Sequence, residues 1–332
     1  MAGTLFGAPE FGGPGPQILL LAALLLDAAA GDWIGRVLRD PAALSARFCE
    51  ALDRRLNRPE RGDTTLMVRG ALVVLFLLFV AMALGFAVEW AGGKERGWVV
   101  ELLAVLACVR GRAAWMRVRA VRRALDGQGL PAARMEVAEM TRRHIHALDE
   151  HGVARTAIEH AAKAFDRKLV APAFWYLLLG VPGMLAWSLI DGANRALGHT
   201  GVRHERFGHT AARLDDALNA IPARLAGVLL ALASPFLGSA SVGGAFTAIG
   251  RDAGKHPSFN MGWPVAATAG ALDLALVGPH KDGGVTIAEP WIGRGRARAS
   301  AADIGRALGL AAVGDLLLAL LVALLTVTSL AV

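Results

Sequence analysis

Between two long apolar stretches, the segment 198–225 reads GHTGVRHERFGHTAARLDDALNAIPARL and concentrates side chains that could do chemistry. It holds the adjacent carboxylates Asp215 and Asp216, with Asn219, three histidines (His199, His204, His209) and the arginines Arg203, Arg206, Arg213 and Arg224. Ionisable groups beside or within apolar spans persist where they pair with each other, face water or bind a ligand. A solvated loop with an Arg–Asp ion pair would account for this segment alone. A second polar island, HPSFNMGWP at 256–264, has the same setting further along. Two such islands favour a polar ligand. The histidine spacings, His144 with His146 included, match no standard metal-ligand pattern and have no thiolate nearby. Cys49 and Cys108 are isolated in the sequence, which gives neither a disulfide framework nor a zinc site. There is no Gly-x-x-x-x-Gly-Lys-Ser/Thr loop and no Gly-x-Gly-x-x-Gly between a strand and a helix.

The elements that must position these groups are apolar. The 332 residues are 55% hydrophobic and only 19% charged, with a mean hydropathy of +0.45, too apolar for an ordinary soluble domain. The clearest lipid-facing runs are 18–30, 66–88 and 308–330, and the second and third reach the ~20 residues a helix needs to cross the hydrocarbon layer. The first carries Asp27, and its flank MAGTLFGAPEFGGPGPQ lacks Lys and Arg. It reads as a retained helix rather than a cleaved signal.

Arginines set the expected orientation. Arg36, Arg39, Arg47, Arg54, Arg55, Arg58, Arg61 and Arg69 lie between the first two runs, which places that loop in the cytoplasm and the N-terminus outside. A basic region over 110–168 belongs on the same side. Its RAAWMRVRAVRRALD has apolar residues at helical spacing with arginines between them, and helix resumes after Gly127 and Gly129-Leu130-Pro131. The net charge of +7 is compatible with nucleic acid, but topology and anionic headgroups already account for these arginines. No nucleic-acid partner is expected; the lipid bilayer is.

The later apolar runs are interrupted, by Gly180-Val181-Pro182-Gly183 and by Ser234-Pro235 with several glycines. Such residues break helices unless protein or water satisfies the freed backbone groups. Kinked spans and re-entrant hairpins both fit, and the reading adopted has at least one hairpin. With simple spans alone, the two polar islands would face opposite sides. The expected architecture is all-α: a polytopic integral membrane protein of the cell inner membrane, one domain over 1–332. Its apolar segments fall at 17–30, 66–90, 98–109, 169–190, 223–249, 263–278 and 308–330.

Several motifs then carry a resemblance. LDEHGVARTAIE at 148–159, VAPAFW at 170–175, Gly198-His199, FGHTAARLDDALNAIPARL at 207–225, NMGWPVAATAGAL at 260–272 and VGP at 277–279 resemble the CobD/CbiB family of membrane-bound cobalamin-biosynthesis proteins. LLLDAAAGD, RRLNR and RGALVVL are similar to that family's opening, so the resemblance covers nearly the whole chain in order. It implies ATP-dependent amide formation between adenosylcobyric acid and aminopropanol, its phosphate or an ethanolamine counterpart. ATP and Mg²⁺ are the implied cofactors, and a corrinoid, a small amino alcohol and other corrin-pathway enzymes the implied partners.

Carried over to this sequence, the resemblance gives Asp215, Asp216 and Glu159 catalytic roles, with Asp215 and Asp216 binding Mg²⁺ or the amine. Arg203, Arg213 and Arg224 receive phosphate, Asn219 and Asn260 bind corrin amides or fix loops, and His199 and Trp263 complete the substrate site. Ordinary alternatives are that Asp215-Asp216 caps a helix or pairs with Arg213, and that Trp263-Pro264 begins a span at the interface. The chain also departs from the family pattern. Where a Gly-Arg-Asp is usual stands Arg142-Arg143-His144. A Glu-Asn and a Val-Asp-Gly are replaced by Lys163-Ala164 and Asp166-Arg167-Lys168, and a Lys-Asn-Glu-Arg-Tyr by Thr200-Gly201-Val202-Arg203-His204. An Asn-x-x-Asp is reversed as Asp191-x-x-Asn194. Three readings follow: a diverged, non-catalytic paralogue that binds corrinoid or a partner; acids that were never essential; or a more anionic ligand met by Lys163, Arg167 and Lys168. A transporter, suggested by broken spans and Asp315, is the remaining alternative.

Overall fold

The computed structural model describes residues 13–58, 62–141, 143–198, 205–282 and 285–331. Helices α1 (Pro16–Val37), α2 (Pro41–Leu56), α3 (Asp63–Gly92), α4 (Trp98–Cys108), α5 (Gly111–Gly127), α6 (Leu130–Val137) and α7 (Glu150–Phe165) come first. A π-helical turn, Asp166–Val170, leads into α8 (Ala171–Leu197), followed by α9 (His209–Leu218), α10 (Ala220–Ala233), α11 (Val242–Asp252) and α12 (Gly262–Leu272). Four short strands, β1 (Leu276–Val277), β2 (His280–Asp282), β3 (Val285–Ile287) and β4 (Trp291–Ile292), precede α13 (Ala301–Ala331). β2 and β3 form a hairpin nested inside the antiparallel pair β1–β4.

Four helical stretches are long and apolar enough to cross a membrane: Pro16–Leu56, Asp63–Gly92, Glu150–Leu197 and Ala301–Leu330. A fifth exists if His209–Leu218 and Ala220–Phe236, bent by 48°, make one broken span or re-entrant loop. The chain is an all-α polytopic membrane protein. Three expected apolar segments are not among the four long helices. α4 has 11 residues, about 16 Å of helix. The run 223–249 is interrupted at Ser234–Phe236 and restarts as α11. The run 263–278 ends its helix at Leu272, where Asp273 turns left-handed. α12 is apolar because it is buried on nearly every face inside protein.

Contacts group the chain into two compact units, one of 1–110, 171–220 and 321–332, the other of 111–170 and 221–320. In the first unit α8 packs against α2 and α3. Gly192 makes this close: a Cβ there would run into the backbone carbonyl of Ala42 and the side chain of Ser45, the small-residue contact that membrane helices use. The expected interruption at Gly180-Pro182 appears as a kink, with Leu179 and Gly180 outside helical geometry. The freed N–H of Val181 is satisfied by Glu89 Oε1 at 3.2 Å, so the helix resumes without an unpaired donor. In the second unit α7 packs on α5, α6 and α12, and α11 lies along α12. Asp149 caps α7 by accepting the Gly152 N–H at 2.6 Å.

Candidate functional site

Glu159 ends the motif that begins at Leu148, on the face of α7 that meets β1. It is 4% exposed, and its Oε1 accepts the N–H of Val277 at 2.9 Å. Val277 opens the VGP motif in an unusual conformation, with φ 64° followed by Gly278 at φ 71°. A β-branched residue there is a real outlier, sustained only when its surroundings hold it. A side chain at Gly278 would meet the Trp291 ring at 2.5 Å, so the turn that aims this N–H needs glycine. Two stretches that carried the resemblance, 118 residues apart, thus join in one hydrogen bond.

The other oxygen of Glu159 faces cations. Arg143 Nη2 lies 3.5 Å from Oε2 and Lys163 Nζ 3.8 Å from it. Arg143 also reaches Glu289 at 3.0 Å, and His280 Nδ1 lies 3.4 Å from the same carboxylate. Both cations stand at positions where the sequence departs from the family pattern, so the basic replacements converge on the retained acid. At 3.5–3.8 Å these contacts are looser than charge-assisted hydrogen bonds. Arg143 Nη2 is engaged by Glu289, so capacity for another anion lies in its other guanidinium N–H groups and in the Lys163 ammonium.

His256, first residue of the second polar island, belongs to this electrostatic neighbourhood. Burial holds its imidazole down at about 4, from an ordinary value of 6.5, with the Lys163 charge adding to the effect. Its Nδ1 lies 2.9 Å from the Ser258 N–H and 3.1 Å from the Ser258 carbonyl oxygen, accepting from the first in one neutral tautomer and donating to the second in the other. Nearby, Asp252 accepts from Arg251 (2.6 Å), Lys255 (2.7 Å) and the Gly293 N–H (3.0 Å). The Arg251 hydrogen bond leads in holding its carboxyl well below the usual range. Arg155 donates to the Ala297 carbonyl and stacks over Trp291. Together these contacts pin the strand segment beneath Glu159.

The remaining expected site residues fall into three groups. Arg224 and Trp263 do meet: the guanidinium lies 4.6 Å from the Trp263 ring centroid and 5.1 Å from that of Phe259. Asn260 is fully buried, and its carbonyl accepts the Trp263 N–H at 3.2 Å. Asp215 and Asn219 share a hydrogen-bond network in the first unit. Asp215 is 1% exposed and takes hydrogen bonds from Asn194 Nδ2 at 2.7 Å and Asn219 Nδ2 at 3.0 Å. Asn219 in turn accepts from Trp187 Nε1 at 3.0 Å. Asp216 is half-buried and Arg213 exposed on α9. His199 and Arg203 lie outside the described residues.

Consecutive helical residues point about 100° apart, and Asp215 is engaged by amides, so Asp215 and Asp216 do not form a paired-carboxylate metal site. Among the described residues no group of three His, Cys, Asp or Glu could hold a metal ion. Sequence reasoning did not give Glu289, His280 and the Val277 amide a role. The Glu159–Lys163 spacing of four on a helix was the one local signal pointing to this cluster.

The family described as CobD/Cbib protein matches residues 20–311. This chain belongs to the CobD/CbiB family. It is 37% identical over 299 residues to "Cobalamin biosynthesis protein CobD" of Sinorhizobium fredii, covering 88% of this chain and 91% of that protein. The protein of that name from Rhizobium meliloti is 37% identical over 301 residues, with the same two coverages. The one from Rhodobacter capsulatus is 34% identical over 295 residues, again covering 88% and 91%. No solved structure matches the chain. The match runs through α7, β1 and the VGP turn, so the Glu159 cluster lies wholly inside the family region.

Proposed function

We propose that this CobD/CbiB member acts in cobalamin biosynthesis, in the cell inner membrane, as an adenosylcobinamide-phosphate synthase. The reaction joins a propionate carboxylate of adenosylcobyric acid to the amine of aminopropanol, its phosphate or an ethanolamine counterpart. ATP drives it: one carboxylate oxygen leaves with the transferred phosphoryl group, the amine nitrogen forms the C–N bond, and ADP and phosphate are released. The names of the relatives support the pathway, and the observation that carries the reaction is the Glu159 cluster.

An amide ligase must neutralise phosphate charge and keep the amine unprotonated against the activated carbon. Arg143 and Lys163, loosely held on Glu159, supply cations for the phosphoryl oxygens. Glu159, fixed by the Val277 amide, orients these cations and attracts the incoming ammonium. His256, held neutral by burial and the Lys163 charge, adds no further positive charge beside these cations. Arg224, stacked between Phe259 and Trp263, is a further anion-binding group in the same unit. No step is routed through Mg²⁺. The role of Asp216 rests on the motif alone.

The test is complementation of a cobalamin auxotroph lacking this step and fed adenosylcobyric acid, with membrane expression checked for each variant. Wild type should restore growth, and Glu159→Gln and Lys163→Ala should not. Asp216→Asn in the same assay tests that residue separately. Absence of growth with well-expressed wild type would favour the second reading, a non-catalytic corrinoid-binding or partner protein. That reading is motivated by the basic residues replacing family acids.

A further inference from the structure

α5 is a strongly one-sided helix. Ala114, Val118, Val121 and Ala124 are buried, while Arg117, Arg122 and Arg123 are exposed and Arg112 and Arg119 flank the half-buried Trp115. The two flanking guanidinium groups lie 5.2 and 5.3 Å from the Trp115 ring centroid. Asp126 is the single acid on this helix against five arginines, and it pairs with Arg122 at 3.6 Å. A solvated charged face would explain such a pattern, were it not for where the helix is anchored.

Its anchors lie at one end of a membrane span. Trp115 Nε1 donates to the Leu308 carbonyl of α13 at 3.3 Å. The Arg122 guanidinium packs on Gly305, so tightly that a Cβ there would lie 2.5 Å from Nη1. Asp303 and Arg306 are the last charges before the apolar part of α13, in which Asp315 is the single ionisable residue. Beyond that point Leu316, Leu320, Leu324, Val327 and Leu330 are exposed along α13. α5 therefore meets α13 where its charges give way to its apolar run. Trp115 and Arg122 are separated by roughly 10 Å of helix, yet their contacts on α13 are only about 4.5 Å apart along it. α5 thus crosses the span near one level instead of running down it, the level at which Trp and Arg meet phospholipid headgroups.

We infer that the Arg119–Arg123 face of α5, which continues the Trp115 stripe at four-residue spacing, binds anionic phospholipid headgroups, with Trp115 as its interfacial anchor. Arginine suits a phosphodiester because its fork can hold two oxygens at once. Arg119 and Arg123, one helical turn apart, lie outside the Glu159 cluster, so this surface can be removed without touching the residues of the proposed reaction.

To test this, the purified full-length chain is equilibrated in detergent micelles containing equal phosphatidylglycerol and phosphatidylcholine, then repurified, and its retained lipids are quantified. Phosphatidylglycerol should be retained in clear preference, and the preference should fall by about fivefold for each arginine removed. Arg119→Gln with Arg123→Gln should therefore abolish most of it. Arg119→Lys with Arg123→Lys should keep much of it, and so should the equally charged control Arg54→Gln with Arg55→Gln on α2. High salt should weaken retention. Equal retention of both lipids by the wild type would overturn the inference. So would equal loss in the α2 control, or displacement of the lipid by millimolar inorganic phosphate, which would mark a site for a free anion. If the glutamine variant fails to fold, the salt series and the lysine variant still decide the matter on folded protein.

Discussion

Asp215 and Glu159 are both nearly fully buried carboxylates on helices, and they are held in opposite ways. Asp215 takes short hydrogen bonds from two neutral amides, at 2.7 and 3.0 Å. Glu159 takes one backbone N–H and faces two cations at 3.5 and 3.8 Å. Amides that close on a carboxylate orient it and specify the packing of the helices that bear them. The Lys163 ammonium at 3.8 Å remains available to an incoming anion, and Arg143, whose Nη2 pairs with Glu289 at 3.0 Å, keeps its other guanidinium donors for one. Burial alone therefore does not set how an acid is held; the charge and distance of its partners do.

The comparison breaks most visibly in activity. Lys163→Ala or Arg143→Ala should lower turnover by about 10²- to 10³-fold, the loss typical of removing one electrostatic stabiliser of a transition state, while the thermal midpoint in detergent stays close to wild type. Unchanged turnover in both would remove the Glu159 cluster from the reaction. Asp215→Asn should do the reverse. It replaces a carboxylate acceptor by an amide whose own donors face Asn194 and Asn219, costing about 1–3 kcal/mol. A thermal-shift series should show that loss, with turnover per folded molecule retained. Loss of turnover at full stability would return Asp215 to the reactive set.

A smaller effect belongs to the turn beneath Glu159. Gly278→Ala places a side chain where φ is 71° and the Trp291 ring is 2.5 Å away, a cost of about 1–3 kcal/mol. The variant should lose stability and, because the Val277 amide moves, part of its turnover as well. A change in stability alone would separate the turn from the orientation of Glu159.

Much of this was legible before the structure. The apolar runs gave the membrane class, and Gly180 with Pro182 marked the kink in α8, because backbone-breaking residues act locally. The run 263–278 misled, since a helix buried in protein and one buried in lipid are equally apolar. Asp215 and Asp216 looked like a pair because they are adjacent, and helical geometry turns them apart. Glu289 and the Val277 amide carried no local signal: they reach α7 through long-range contacts across 130 and 118 residues of sequence separation, mediated for Glu289 by Arg143. The replacement of family acids by Arg143 and Lys163 was visible, but its meaning depended on both meeting Glu159.

The smallest prediction uses pH to separate two groups of the second unit. His256 is held neutral, with its value lowered from 6.5 to about 4 by burial first and the Lys163 charge second. Between those values the unfolded chain binds the extra proton, so the contribution of His256 to stability is complete above about pH 6.5 and is lost as pH falls towards 4. Asp252 has a depressed value instead, led by its hydrogen bond from Arg251. Its contribution is present above the ordinary carboxylate value of 3.8 and is lost only as pH falls below it. Cooling of the thermal midpoint from pH 7 to pH 5 should therefore be shallower in His256→Asn than in wild type, by an amount on the order of 1–2 kcal/mol, while Asp252→Asn leaves that interval unaltered. Identical slopes for wild type and His256→Asn would show that the imidazole is not buried beside Lys163, and would take the neutral ring out of the surroundings of the Glu159 cluster.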